Sequence, residues 1–498
     1  MTDMERSEDG LHHIFRLSQH DFQKSLKDVR GPEDFASLLG TLLDGTENTE
    51  FVPCISAAFA ADGDGTEFLH CITAAFAVCG LGEVDGGRTS KLFAAIQRWA
   101  SAALGGTGSA QDPASNNSND SFPSKIALWA PGSGPQRVVY SAAQCRGLLA
   151  SALLLNVLDT SQDVKDRRNK GGLDFARMLR STKPVAAQKL ACLLTYFEVS
   201  LDSEGTEADL REVVFERRSA AEDEAGLQEF RVFALEEGAD KICDLVHGCF
   251  KLHSATMEEV ADADAFVNFA NPNYGYGKFI ASCTQEEILQ VCCPEMNVAM
   301  LHQGMMTDAE IVNVFGVRRF SGYTGYLDSF EFAGPWHGQQ IQTVLTMDAT
   351  YSRHFSESMV LRDIRKAFLC FKGCRHVSTG RWGCGAFGGM PAHKFVQQVL
   401  AGSLAGFETI SFSTYGQPDS CDDVLNLLVR CQPTASQLLQ ALLSPHVAQR
   451  SHSDSRAFVR ALAASLASTQ RSGAGWACGR RQRKEKEAPA GPGPCCVS

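Results

Sequence analysis

Apolar residues recur at three- and four-residue intervals through much of the first two hundred positions. The stretches 34–43 and 91–104 each carry such a stripe, which predicts amphipathic helices. The spacing returns at 141–158, where Ser141 is placed to cap AAQCRGLLASALLLNVL, and at 184–197, where Pro184 suits a first helical turn. Between these blocks, residues 105–124 turn to Gly, Ser, Asn, Asp and Pro, the composition of a flexible loop. Near residue 210 the pattern changes. Short apolar runs at 213–215, 230–235, 265–269, 344–348 and 409–413 read as strands, with helical stretches at 358–371 and 391–405. Strands alternating with helices imply an α/β layer with a largely parallel sheet. The expected organisation is a helical region over 1–210, an α/β region over 211–447 and a tail over 448–498. The tail holds one short helical candidate, 455–467, and is otherwise expected to be disordered.

Composition narrows the class. The chain has 498 residues, 44% hydrophobic and 21% charged, which suits a globular protein and excludes a largely disordered one. No apolar run reaches the length of about 18 residues that spans a bilayer as a helix. The opening MTDMERSEDG is polar and acidic and does not read as a secretory leader, so the 18 cysteines are expected to be reduced thiols. Neither the cysteines nor the 13 histidines fall at metal-ligand spacing, and no metal is expected. A net charge of −12 argues against direct DNA binding by the surface as a whole. The dense basic cluster, Arg480, Arg481, Arg483, Lys484 and Lys486, lies just upstream of Cys495-Cys496-Val497-Ser498. Those four residues fit a C-a-a-X box, which predicts farnesylation at Cys495 and a membrane tether with the basic cluster as second signal. The plain alternative is a solvated tail.

Two segments carry candidate chemistry. Residues 265–290 read AFVNFANPNYGYGKFIASCTQEEILQ: a strand, a glycine-containing loop, then Gln-Glu-Glu opening an apolar helix. Ligands of open α/β sheets sit beyond the carboxyl ends of strands, where these residues fall. Residues 379–389, TGRWGCGAFGG, form a glycine-rich loop whose backbone can approach a phosphate closely. Each has a bland reading beside the sharp one. Thr284-Gln285-Glu286-Glu287 is also a plain capping box. The glycine loop is also a tight turn, and Cys384 within it reads as a small apolar filler.

Together these segments resemble the poly(ADP-ribose) glycohydrolase family, whose signature is a glycine triplet, a short spacer and Gln-Glu-Glu. The stretch TGRWGCGAFGG resembles its phosphate loop and SGYTGYLDS, residues 321–329, its aromatic lid. KLACLLTYFE, residues 189–198, and VVFERRS, residues 213–219, resemble its helical accessory region, so the similarity covers most of 125–445. The resemblance implies an α/β fold, a macrodomain-like mixed sheet flanked by helices and preceded by an all-helical accessory domain. It implies hydrolysis of the ribose–ribose bonds of poly(ADP-ribose), releasing ADP-ribose without a cofactor. Poly(ADP-ribose) or ADP-ribosylated proteins would be the partners, met by a monomer in the nucleus or cytoplasm as part of the DNA damage response. By position, Glu287 would be the general acid and Glu286 would hold ribose hydroxyls. Asn268, Asn271, Gly275 and Gly277 would line the scissile ribose. Backbone amides of Gly383, Cys384, Gly385, Ala386 and Phe387 would bind the diphosphate. Tyr326 would cover the adenine, Tyr415 would flank the neighbouring ribose, and Glu258 would accept from the adenine amino group.

The chemistry asks for such residues. Glycoside cleavage passes through an oxocarbenium-like state and needs a protonated carboxyl at the leaving oxygen. Adjacent glutamates on a helix point about 100° apart, so they divide the labour instead of facing each other. A helix N-terminus favours the ionised form, so burial beside the bound polymer has to supply the proton's stability. Four positions depart from the family pattern: Asn268 replaces an acidic residue, Tyr276 the middle glycine, Met390 an acid after the second Gly-Gly, and Arg381 a smaller polar residue. Asn268 and Tyr276 keep a second reading open, a macrodomain that binds ADP-ribose or its polymer without cleaving it.

Overall fold

The computed structural model describes residues 11–13, 15–44, 65–82, 84–104, 125–157, 173, 175–237, 248–275, 283–338, 341–449 and 454–486. The expected loop at 105–124, Tyr276, Gly277 and the Cys495 box lie outside the described residues. Two units emerge, one of residues 1–222 with 261–349 and one of 223–260 with 350–498.

In the first unit, helices Pro32–Asp44, Thr66–Cys79 and Arg88–Leu104 pack through Phe35, Phe76 and Phe93, whose ring centroids lie 4.6 to 6.3 Å apart. Ser141 caps the next helix as expected: its hydroxyl accepts from the Gln144 amide, and the Gln144 side chain accepts from the Ser141 amide. That helix, Ala142–Leu153, stops short of the expected residue 158. Leu155 turns left-handed (φ 56°), and Val157 bridges to Phe15. Helix Pro184–Leu201 follows, with Pro184 in its first turn.

Five strands of this unit run in the order Gln136–Ser141, Glu212–Ser219, Glu310–Arg318, Ile341–Asp348 and Ala265–Ala270. Neighbours are antiparallel except the last pair, which is parallel and sets Asn268 opposite Thr346. Period-two alternation along Glu212–Ser219 turns Val213, Phe215 and Arg217 inward. The buried Arg217 is satisfied by Glu310 at 3.2 Å and by the carbonyls of Trp129, Ala130 and Gly134. Removing one partner of such a pair costs about 3–5 kcal/mol, because the other charge is left buried.

The second unit holds three parallel strands in the order His376–Gly380, Thr409–Ser413 and Phe250–His253. Helices Glu357–Phe371 and Pro391–Ala405 accompany them. A largely parallel sheet is thus met in this unit alone, and the strands of the whole chain are mixed. The strand expected at 230–235 is instead part of helix Glu224–Glu237. Three-residue spacing wins over alternation there: Phe230 and Phe233 both meet the Phe368 ring, while Val232 is 51% exposed. The tail also differs from expectation. Helix Ser455–Lys486 runs past residue 467 and takes in the basic cluster. Phe458, Leu462 and Leu466 form a buried seam at four-residue spacing, and the residues beyond them are mostly good helix formers. Among the described residues no helix is long and apolar enough to cross a membrane.

One buried histidine gives the first unit a pH dependence. His302 Nδ1 donates to the Ala127 carbonyl (2.9 Å), and Nε2 lies 2.6 Å from the Tyr140 hydroxyl, which donates to it when the ring is neutral. Burial lowers its pKa to about 4. The unfolded value is near 6.5, so the contribution of this ring to stability is complete above that pH and is lost as pH falls towards 4. The loss is on the order of 3 kcal/mol. Thermal unfolding from pH 7 to 4 should show a falling Tm in the native chain and a flatter profile in His302→Gln; parallel profiles would contradict the assignment.

Candidate functional site

In the first unit the strand Ala265–Ala270 and the helix Gln285–Cys292 meet through two consecutive side chains, and a third closes the helix start. Gln285 clamps the strand end, its Oε1 accepting from the Phe269 amide (2.8 Å) and its Nε2 donating to the Val267 carbonyl (3.0 Å). Glu286 accepts from the Asn271 amide at Oε2 (2.9 Å) and from Gln290 at Oε1 (3.3 Å). Glu287 accepts at Oε2 from both the Thr284 amide (2.7 Å) and the Thr284 hydroxyl. The capping box read from sequence is therefore formed. Among the described residues nothing donates to Glu287 Oε1. Both glutamates are buried, and their partners lie on different sides of the helix, as the 100° step requires.

Other residues named from the sequence fall around this turn. Asn268 is wholly buried within its strand, donating to Thr346 Oγ1 (3.3 Å) while its own Oδ1 has no partner. The Asn271 side chain accepts from the Asn273 amide (3.0 Å) and closes the turn after the strand. Gly275 adopts φ +76°, a backbone conformation that favours glycine, and a Cβ there would have to push aside the flexible end of Met300. Tyr326 is 40% exposed on the loop between strands Ser321–Thr324 and Glu331–Pro335. That loop is tied to the glutamate helix: the Leu327 amide donates to the Cys283 carbonyl (2.9 Å), one residue before Thr284. Tyr323 instead packs on Phe330.

The second unit gathers the remaining candidates at the carboxyl ends of its parallel strands. After His376–Gly380, the loop folds on itself through Cys384 N to Arg381 O, Gly388 N to Gly385 O and Gly389 N to Gly383 O, at 2.9 to 3.0 Å. Gly383 and Gly388 take positive φ to permit this. Among the described residues the amides of Gly385, Ala386 and Phe387 donate to nothing, and Gly385 and Ala386 are exposed. Consecutive unspent amides ahead of a helix N-terminus are suited to an anion. Burial pushes the Cys384 thiol up to about 12, which fits a filler and not a nucleophile. Tyr415, 49% exposed, stands at φ 52° just past Thr409–Ser413, a strained backbone position for a tyrosine. The short helix Met257–Glu259, with Glu258, is pinned to the same strand ends by Ser378 Oγ to Met257 O and Ser413 Oγ to Ala255 O, both 2.6 Å.

Several supporting residues escaped the sequence. Lys189 is fully buried on helix Pro184–Leu201; burial lowers its pKa while the Cys283 and Glu287 charges oppose that shift. In the second unit Trp382 is turned wholly inward. Its ring faces the Lys394 ammonium at 4.7 Å, and Lys394 pairs with the buried Asp363. Asp363 also accepts from Arg362 (2.8 Å) and the Thr350 amide (3.1 Å). His354 Nε2 donates to the Phe387 carbonyl (2.9 Å), holding the loop from outside. Distance along the chain hides such partners; only the lysine and aspartate inside apolar helices gave a signal.

Residues 241–422 match the family model described as poly(ADP-ribose) glycohydrolase, macro domain fold. Poly(ADP-ribose) glycohydrolase 1 of Arabidopsis thaliana is 26% identical over 326 residues, covering 49% of this chain and 57% of that protein. Poly(ADP-ribose) glycohydrolase 2 of Caenorhabditis elegans is 28% identical over 288 residues, 51% and 56% respectively. The chain thus spans a little over half the length of these two relatives. Among solved structures, poly(ADP-ribose) glycohydrolase from Deinococcus radiodurans in complex with ADP-ribose is 20% identical, covering 42% of this chain and 96% of that one, with a TM-score of 0.27. Residues 241–422 are therefore similar to the poly(ADP-ribose) glycohydrolase family.

Proposed function

We propose that this protein hydrolyses the ribose–ribose glycosidic bonds of poly(ADP-ribose), with Glu287 as general acid. The observation that carries the reading is the division of the Glu287 carboxylate. Oε2 is fixed by two donors from Thr284, and Oε1 is left for a proton and a leaving oxygen. Glu286, positioned by the Asn271 amide and Gln290, would hold ribose hydroxyls. In the second unit the unspent amides of Gly385, Ala386 and Phe387 suit a diphosphate, which is the repeating anion of the polymer.

A second reading, binding without cleavage, is favoured by Asn268. An amide stands where the family has an acid, and it is locked onto Thr346. The two readings separate on one assay. Purified protein incubated with labelled polymer should release ADP-ribose; calorimetric binding of ADP-ribose with no release would select the second reading.

If release is observed, Glu287→Gln should lower turnover about a hundredfold or more. Glutamine at this position preserves a capping box, so Tm should stay close to native and the loss can be assigned to the proton. Turnover within a few-fold of native would remove Glu287 from the acid role. His354→Ala should act differently, raising the ADP-ribose Kd about fivefold by freeing the Phe387 carbonyl, as expected for one hydrogen bond of about 1 kcal/mol. Unchanged affinity in His354→Ala would argue against the loop as the ligand cradle.

A further inference from the structure

We propose that the first unit binds a small inorganic anion of halide size in a cleft lined by Arg146, Arg318 and Tyr196, a site that shares no residue with the proposed acid machinery. The cleft encloses about 20 Å³, room for one water or one halide. Three guanidinium groups line it, from Arg146, Arg211 and Arg318, against two carboxylates, Asp209 and Glu295.

Both carboxylates are already engaged by the protein. Asp209 takes a bidentate pair from Arg146 (2.5 and 2.8 Å) and a third bond from the Gly205 amide (2.8 Å). Glu295 accepts from the Arg211 guanidinium on one oxygen and from the Arg318 amide (3.2 Å) on the other. One positive charge is therefore in excess. It falls on Arg318, whose guanidinium forms no salt bridge among the described residues, feels Glu295 only at longer range and lies 5.3 Å from the Phe320 ring centroid.

The unsatisfied atoms point the same way. Arg146 Nε, Arg318 Nε and the Tyr196 hydroxyl are buried without a hydrogen-bond partner. The Arg146 side chain is 6% exposed and Tyr196 is 1% exposed. A buried donor left unmade costs about 1–3 kcal/mol, so three in one cleft select an occupant that accepts from all of them. Water would accept from these donors too, but it leaves the excess positive charge uncancelled. A monovalent anion meets the donors, needs no acceptor and cancels the excess charge. Seated there, it joins strand Glu310–Arg318 to helices Ala142–Leu153 and Pro184–Leu201.

The test is thermal unfolding of the full chain in sodium chloride and in sodium gluconate at equal ionic strength. Chloride should raise Tm by about 2–4 °C in the native protein. Arg318→Gln should lose that difference, and Arg318→Lys should keep part of it. No chloride-specific rise in the native chain, or an equal rise in Arg318→Gln, overturns the proposal. Crystals of the native protein grown with bromide decide the matter independently of any variant. An anomalous peak between Arg146 and Arg318 supports the site, and ordered density without anomalous signal shows water there and overturns it.

Discussion

The structure around the candidate acid depends on one constraint: the first turn of helix Gln285–Cys292 is fastened to the end of the strand before it by two successive side chains and closed on its own N-cap by a third. Gln285 spans the Val267 carbonyl and the Phe269 amide, Glu286 holds the Asn271 amide, and Glu287 holds Thr284. The strand itself cannot shift register, because it is paired in parallel with Ile341–Asp348 along its whole length. A carboxylate on a free helix end would sample many positions, and here its backbone is fixed before any ligand arrives. Such preorganisation is what a positioned proton donor requires.

The same economy governs the second unit, with different chemistry. A glycine-rich loop offers amides only if something else keeps it from collapsing. Trp382 plugs the core beneath it, Lys394 sits on the Trp382 face, and Asp363 fixes the lysine. A buried ion pair is not in itself a strong source of stability, since desolvation offsets most of its attraction. Its use here is geometric: it sets the height of the loop from below while His354 holds Phe387 from above.

Much of this was legible in the sequence, and the reasons differ by element. The Thr284–Glu287 box was visible because capping is local, and the strands at 265–269 and 409–413 were visible because their apolar runs end at turn residues. The run at 230–235 misled because five of its six residues are apolar, which fits either period, and only the distant Phe368 decides between them. The inward turn of Trp382 was not legible, because the cation its ring faces lies in the next helix. Gly275 was singled out for substrate approach, whereas its need for glycine comes from its left-handed backbone at φ +76°. The clamp formed by Gln285 and the buried Lys189 depend on contacts across elements, which no local pattern records.

The most direct measurement is the distance from Glu287 Oε1 to the nearest ribose oxygen in crystals of this protein grown with ADP-ribose. The account predicts a hydrogen bond of about 2.6–3.2 Å, with Oε2 still held by Thr284. A carboxyl that stays turned away from the ribose, with Oε1 beyond hydrogen-bonding reach, would contradict it.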